Sequence, residues 1–174
     1  MDKDAMLRAF EVLDARAPGS THLIVGGGAA MILAYDHRLA TDDVDAFAAK
    51  GSMRLADLDG AAKEVARAID AQPDWLNAHF ESYTGVLPQG YSERLRRVFE
   101  GKSLTVDALG PEDLLIMKCF AGRDKDRPHA RRLLVLAENL DLVDAHLSLL
   151  IERRYPGAQR AADVFDDLRE EAGK

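Results

Sequence analysis

Apolar positions recur along the chain with two different periods. Met6, Leu7, Phe10 and Leu13 fall at helical spacing and stop at Pro18 and Gly19, which predicts an amphipathic first helix packed on the outside of a sheet. "HLIV" then reads as a short strand, "GGG" as a tight corner and "AAMILAY" as a buried helix of about two turns. After the polar connector "HRLAT", "DVDAF" alternates as a second strand, with Val44 on one face and Asp43 and Asp45 together on the other. Leu55, Leu58, Ala62, Val65, Ala66 and Ile69 predict a longer helix that stops before Pro73. The stretch from Asp74 to Tyr91 has no clean period and reads as mostly loop with one short strand.

"LRRVFE" and "SLTVDAL" read as two strands joined by a turn at "GK", where Gly101 is expected to supply backbone freedom. Pro111 opens a helix with Glu112 and Asp113 at its positive end. Further helices are expected in "HARRLLVLAENL", "LVDAHLSLLIERR" and "AQRAADVFDDLREEA". The order implies an α/β (α+β) fold, a mixed sheet flanked by helices and followed by a helical C-terminal region. At 174 residues the chain is expected to form a single domain. Its α/β core would span about 18–110 and its helical part about 111–174.

Composition narrows the class. The N-terminal stretch lacks the basic flank, apolar run and cleavage site of a secretory signal, so the expected location is the cytoplasm. The longest apolar run, Leu23 to Tyr35, contains three glycines and is too short for a membrane span, so no membrane partner is expected. Cys119 lies in "LLIMKCFA", where core packing rather than nucleophilic chemistry is expected, and the five histidines show no zinc-site spacing. A net charge of −7 argues against a protein that coats nucleic acid. From Arg94 to Arg132, however, ten Lys or Arg face six Asp or Glu, a local excess of four positive charges. That stretch is either a solvated helix surface or a landing strip for phosphates.

Two motifs carry candidate chemistry. The glycine corner does not complete a dinucleotide fingerprint, because Met31 stands at its last position, and no Lys-Ser or Lys-Thr follows to make a P-loop. A corner whose backbone N–H groups open a helix can still hold phosphates, although a tight turn alone would also need glycine. Asp43 and Asp45 share one face of a strand that Val44, Ala46 and Phe47 mark as buried. Two carboxylates so placed repel each other and need a cation between them. Magnesium is the oxygen-loving ion that commonly joins such acids to nucleotide phosphates.

"GGGAAM", followed by Arg38 and then "TDDVD" at Thr41 to Asp45, resembles the polymerase-β-like nucleotidyltransferase superfamily. Together with "DWLN" and "PEDLLIMKCFAGRDKDRPHARRLL", it is similar to the small bacterial nucleotidyltransferases related to abortive-infection toxins. The resemblance covers roughly Leu23 to Leu134. It implies the minimal nucleotidyltransferase sheet and transfer of a nucleoside monophosphate from a nucleoside triphosphate to a hydroxyl. Two Mg2+ ions would serve during turnover, with Mn2+ as an alternative. Gly26, Gly27 and Gly28 would cradle the phosphates, and Asp43 and Asp45 would carry the metals. Asp107, on the face it shares with Thr105, would be the third catalytic carboxylate, or else simply begin the next turn. Arg38, Thr41, Lys118, Arg123 and Lys125 would bind nucleotide, although His129 stands where the related proteins usually have an acid.

The acceptor is left open between a tRNA end, a protein hydroxyl and a small molecule. The resemblance also implies a place in a toxin–antitoxin pair, with a partner protein encoded nearby. The alternative is a catalytically silent binding module or antitoxin-like partner that keeps the fold without the third carboxylate.

Overall fold

The computed structural model describes residues 1–37 and 40–173. The chain forms two compact units, Met1–Ser82 with Leu95–Leu109 and Tyr83–Arg94 with Gly110–Lys174. No helix among the described residues is long and apolar enough to cross a membrane.

The first unit carries α1 (Lys3–Asp14), β1 (Thr21–Val25), α2 (Gly27–Tyr35), β2 (Val44–Ala48), α3 (Asp59–Ile69), β3 (Leu76–Asn77), β4 (Arg96–Glu100) and β5 (Leu104–Ala108). The strands lie in the order β3-β2-β1-β5-β4. β1 is central because Leu23, Ile24 and Val25 form an unbroken apolar run, which suits a strand buried on both faces. It pairs antiparallel with β2 and parallel with β5, while β3 joins β2 in parallel and β4 joins β5 antiparallel. This mixed sheet, with its helices and the helical C-terminal segment, is the α+β class the sequence implied.

The register sorts the sheet into two chemically different faces. Val25 pairs with Ala46 and Ala108, and Leu23 with Ala48 and Val106, so one face is apolar. α1 and α3 meet that face: the Phe10 ring lies 6.2 Å from that of Trp75 and 5.8 Å from that of Phe99. Trp75 is fully buried, and its indole N–H donates to the Ala62 carbonyl of α3 at 2.9 Å. The other face carries His22, Ile24, Asp45, Phe47, Thr105 and Asp107, because Ile24 pairs with both Phe47 and Asp107. Polar chemistry therefore collects on one side of the sheet.

Gly101 is required for a different reason from the one the sequence suggested. Its φ is not in the left-handed region, but a Cβ there would lie 2.3 Å from Cγ of Asp14. The Asp14 carboxylate, at the end of α1, accepts backbone N–H bonds from Lys102 at 3.1 Å and from Ser103 and Leu104 at 2.7 Å each. The bond from Ser103, ahead of those from Lys102 and Leu104, holds this carboxyl below its ordinary value of 3.8 against the opposing pull of burial.

The second unit contains α4 (Pro111–Ala121), α5 (Arg127–Leu136), α6 (Leu140–Glu152) and α7 (Ala158–Glu171), with a short 3-10 turn upstream at Tyr91–Arg94. The acids that open α4 do more than meet its dipole. Asp113 is fully buried and takes a two-pronged bond from Arg94 at 3.0 and 2.6 Å. Burial pushes its carboxyl up, while Arg94 draws it back toward the ionised form. Glu112 accepts the backbone N–H groups of Glu138 and Asn139 at 2.9 and 3.1 Å, which fixes the entry to α6. Asn139 in turn caps α6 by accepting from Leu142 N–H at 3.0 Å. The Cys119 thiol is buried and pushed up to about 12 by desolvation, which agrees with a packing role.

Two outcomes follow for this scaffold. Asp14→Ala should lower unfolding free energy by about 1–2 kcal/mol, because it orphans three N–H groups. The folded carboxyl is depressed, so its contribution is complete above the ordinary value of 3.8 and fades as pH falls through the lower folded value. Chemical denaturation of both proteins across pH should therefore show a constant gap near neutrality that narrows in acid. Cys119 should resist an aromatic disulfide reagent at pH 8 in the native protein and react at once after denaturation; rapid native labelling would contradict its placement.

Candidate active site

The site grows from the junction of β1 and α2. One further antiparallel bond, Gly26 N–H to the Asp45 carbonyl at 3.0 Å, carries the β1–β2 pairing beyond the last residue of β1. The glycine corner is thereby fastened to the strand that bears the carboxylates. Gly26 is the N-cap of α2 and brings no side chain to its first N–H groups, which have no intrahelical partner. The positive end of the helix dipole thus opens beside acidic side chains.

Each glycine answers a separate constraint. A Cβ at Gly26 would lie 2.8 Å from the Phe80 ring, which packs edge-on against Phe47 with centroids 5.4 Å apart. Gly27 has φ +57, a left-handed value that favours glycine, and its Cβ would stand 3.2 Å from Oδ2 of Asp45. A Cβ at Gly28 would come within 3.2 Å of the Thr41 hydroxyl. The corner is therefore flanked by Asp45 and Thr41, and Thr41 is held by its own N–H bond to the Met1 carbonyl at 3.0 Å.

Asp43 and Asp45 do meet on one face, and His79 joins them. One ligand atom from each of the three lies within 4.8 Å of the others. Asn77 organises this group. It pairs with Asp45 across β2 and β3, its Nδ2 donates to Oδ2 of Asp43 at 2.8 Å, and its Oδ1 accepts the His79 backbone N–H at 2.9 Å. A backbone N–H can only donate, so Oδ1 must face His79 and the amide must turn its Nδ2 to the carboxylate. Two carboxylate oxygens and one imidazole nitrogen form a donor set suited to a divalent cation.

Asp107 stands apart from this group. It shares the polar face, but two strands across and two residues along, about 12 Å from Asp45 between Cα atoms. It is buried, with His22 Nε2 at 2.7 Å from Oδ2 and Arg97 Nε donating to Oδ1 at 2.6 Å. The bond to Asp107 is the main reason that the Arg97 guanidinium is held above its ordinary range.

Of the remaining expected site residues, one is not described and three lie in the second unit. Arg38 lies outside the described residues. Lys118, Arg123 and Lys125 belong to the second unit, where Lys118 donates to Asp126 at 2.6 Å and Arg123 and Lys125 are exposed. The positive excess of this stretch is partly met by acids: Arg94 by Asp113, Arg97 by Asp107 and Glu100, and both Arg127 and Arg131 by Glu171. Glu171 lies beyond the stretch itself, where a charge count confined to 94–132 does not reach.

Asn77 and His79 were not among the residues expected from the sequence. "DWLN" drew attention only as part of a resemblance, and neither periodicity nor ligand spacing marks an exposed histidine two residues later.

No curated protein and no solved structure matches the chain. Residues 5–154 match the family described as "Nucleotidyltransferase of unknown function (DUF6036)". Since that match runs from the first helix to just past α6, the chain belongs to this nucleotidyltransferase family.

Proposed function

We propose that the protein transfers a nucleoside monophosphate from a nucleoside triphosphate to a hydroxyl acceptor. The observation that carries this reading is the lodging of Asp45 against the glycine corner, 3.2 Å from where a Gly27 Cβ would be. It sets one carboxylate of the candidate metal pair beside a helix N-terminus that favours phosphate oxygens. Asp43 and Asp45 would hold the divalent cation, Mg2+ or Mn2+. Such an ion polarises the α-phosphoryl group and neutralises charge on the leaving oxygen. The first N–H groups of α2 orient the β and γ phosphates, and Gly27 and Gly28 permit their close approach. The acceptor oxygen bonds to the α-phosphorus as the bond to the bridging oxygen breaks. Pyrophosphate leaves, and the hydroxyl proton passes to solvent.

One observation favours a second reading, a silent binding module. Asp107, the acid expected to complete the catalytic set, is engaged by His22 and Arg97. Incubating the protein with each labelled nucleoside triphosphate, Mg2+ or Mn2+, and a cell lysate separates the two. Label transferred to an RNA, a protein or a small molecule, with pyrophosphate released, supports the enzyme. Nucleotide binding without transfer under every condition supports the module and overturns the first reading. A toxin–antitoxin role belongs to the proposal as well, and is tested by whether expression arrests growth and a co-encoded partner relieves it.

Asp43→Asn and Asp45→Asn should each reduce transfer at least about a hundredfold and weaken divalent-cation binding. The metal-free melting temperature should stay level or rise, because like charges are removed. Unfolding with unchanged cation affinity would count against the assignment. Gly27→Ala should cost about 1–2 kcal/mol of stability through its left-handed backbone alone. Gly28→Ala carries no left-handed strain and meets only Thr41, so it is the cleaner probe of phosphate approach: triphosphate affinity should fall with a smaller loss of stability than Gly27→Ala shows.

A further inference from the structure

We infer that His79 is a nitrogen ligand of the cation and that the site favours a Mn2+-class ion over Mg2+. The inference rests on the reading of Asp43 and Asp45 as the metal-bearing pair, and adds to it a third ligand and a selectivity. The three side chains already have ligand atoms within 4.8 Å of one another. Donors bound to one ion at metal–ligand distances near 2.1 Å stand about 3–4.3 Å apart, so only a small side-chain adjustment closes the set. His79 is exposed, whereas Asp45 is fixed within β2 and Asp43, just before that strand, is held by its bond from Asn77.

The local chain holds His79 in reach. β3 ends at Asn77, and the chain turns there, so residue 79 leaves the sheet beside β2 instead of running along it. Asn77 spans the turn by bonding Asp43 with one end of its amide and the His79 backbone with the other. It therefore acts as a positioning residue that fixes the separation of two ligands without offering a strong donor itself. The imidazole decides the metal. Mg2+ prefers oxygen donors and keeps its waters, whereas an imidazole combined with carboxylates suits ions later in the first transition row.

The test uses Mn2+ alone with the full chain, read by electron spin resonance. Pulsed measurements should detect nitrogen-14 coupled to bound Mn2+ in the wild type. His79→Ala should lose that coupling and weaken Mn2+ binding about tenfold, while Mg2+ affinity, measured by competition, changes less than about twofold. His79→Gln should restore part of the affinity through an oxygen donor but not the nitrogen signal. Asn77→Ala should weaken Mn2+ binding about tenfold or more and reduce the fraction of bound ion that shows nitrogen coupling. Bound Mn2+ without nitrogen coupling in the wild type, or coupling that survives His79→Ala, overturns the inference. In that case, Mn2+ binding that still requires Asp43 and Asp45 leaves the nucleotidyl-transfer reading standing. Nitrogen coupling in a protein that transfers no nucleotide would instead retain this inference and remove that one.

Discussion

The bond from Gly26 N–H to the Asp45 carbonyl is the constraint around which the site is built. It extends the β1–β2 ladder into the corner, so the start of α2 and the carboxylate strand cannot move independently. Once the backbones are fastened, the side chains have little choice. Gly27 must be left-handed to turn the chain into α2, and the space where its Cβ would project belongs to Asp45. Gly26 must lack a side chain because Phe80 closes over it, and Phe80 arrives from the segment that also delivers Asn77 and His79. One backbone bond thus links helix, strand and loop.

The polar face of the sheet holds two acid clusters with different chemistry. Asp43, Asp45 and His79 each turn one donor atom to within 4.8 Å of the others, a set that could hold a cation. Asp107 already has its countercharge in Arg97 and a further partner in His22. Burying a carboxylate is costly unless its charge is met, and the sheet meets this one with side chains from the strands on either side of β5. A carboxylate held in this way contributes first to the alignment of β1, β4 and β5.

Much of the architecture was legible in the sequence because periodicity reports burial directly. The alternation of "DVDAF" put Asp43 and Asp45 on one face, and the glycine corner, the flanking helices and the succession of strands along the chain were all marked by local pattern. What local pattern could not supply was anything created by register. Asn77 matters because two residues of β3 happen to pair beside Asp45, and a two-residue strand has no period to detect. Gly101 looked like a residue chosen for its torsions, whereas the cause was a carboxylate eighty-seven positions earlier in the chain. Glu112 and Asp113 looked like favourable charges at a helix start, but both are buried and their partners lie in other segments. Local sequence records which residues are buried, not which ones they meet.

The place of β1 at the middle of the sheet has a consequence for how the chain comes into being. β1 leaves the ribosome before its partners and can pair with β2 on its antiparallel side soon afterwards, yet its parallel partner β5 is complete only at residue 108. Until then the central strand has one open edge, and the Asp14 carboxylate has no turn to cap. Segments 83–94, which belong to the second unit, are synthesised during that interval. Pairings so distant along the chain carry a large loop-closure cost and form slowly, which leaves unpaired strand edge exposed in the meantime. Nascent-chain lifetime, rather than the stability of the finished sheet, is where this topology is most vulnerable.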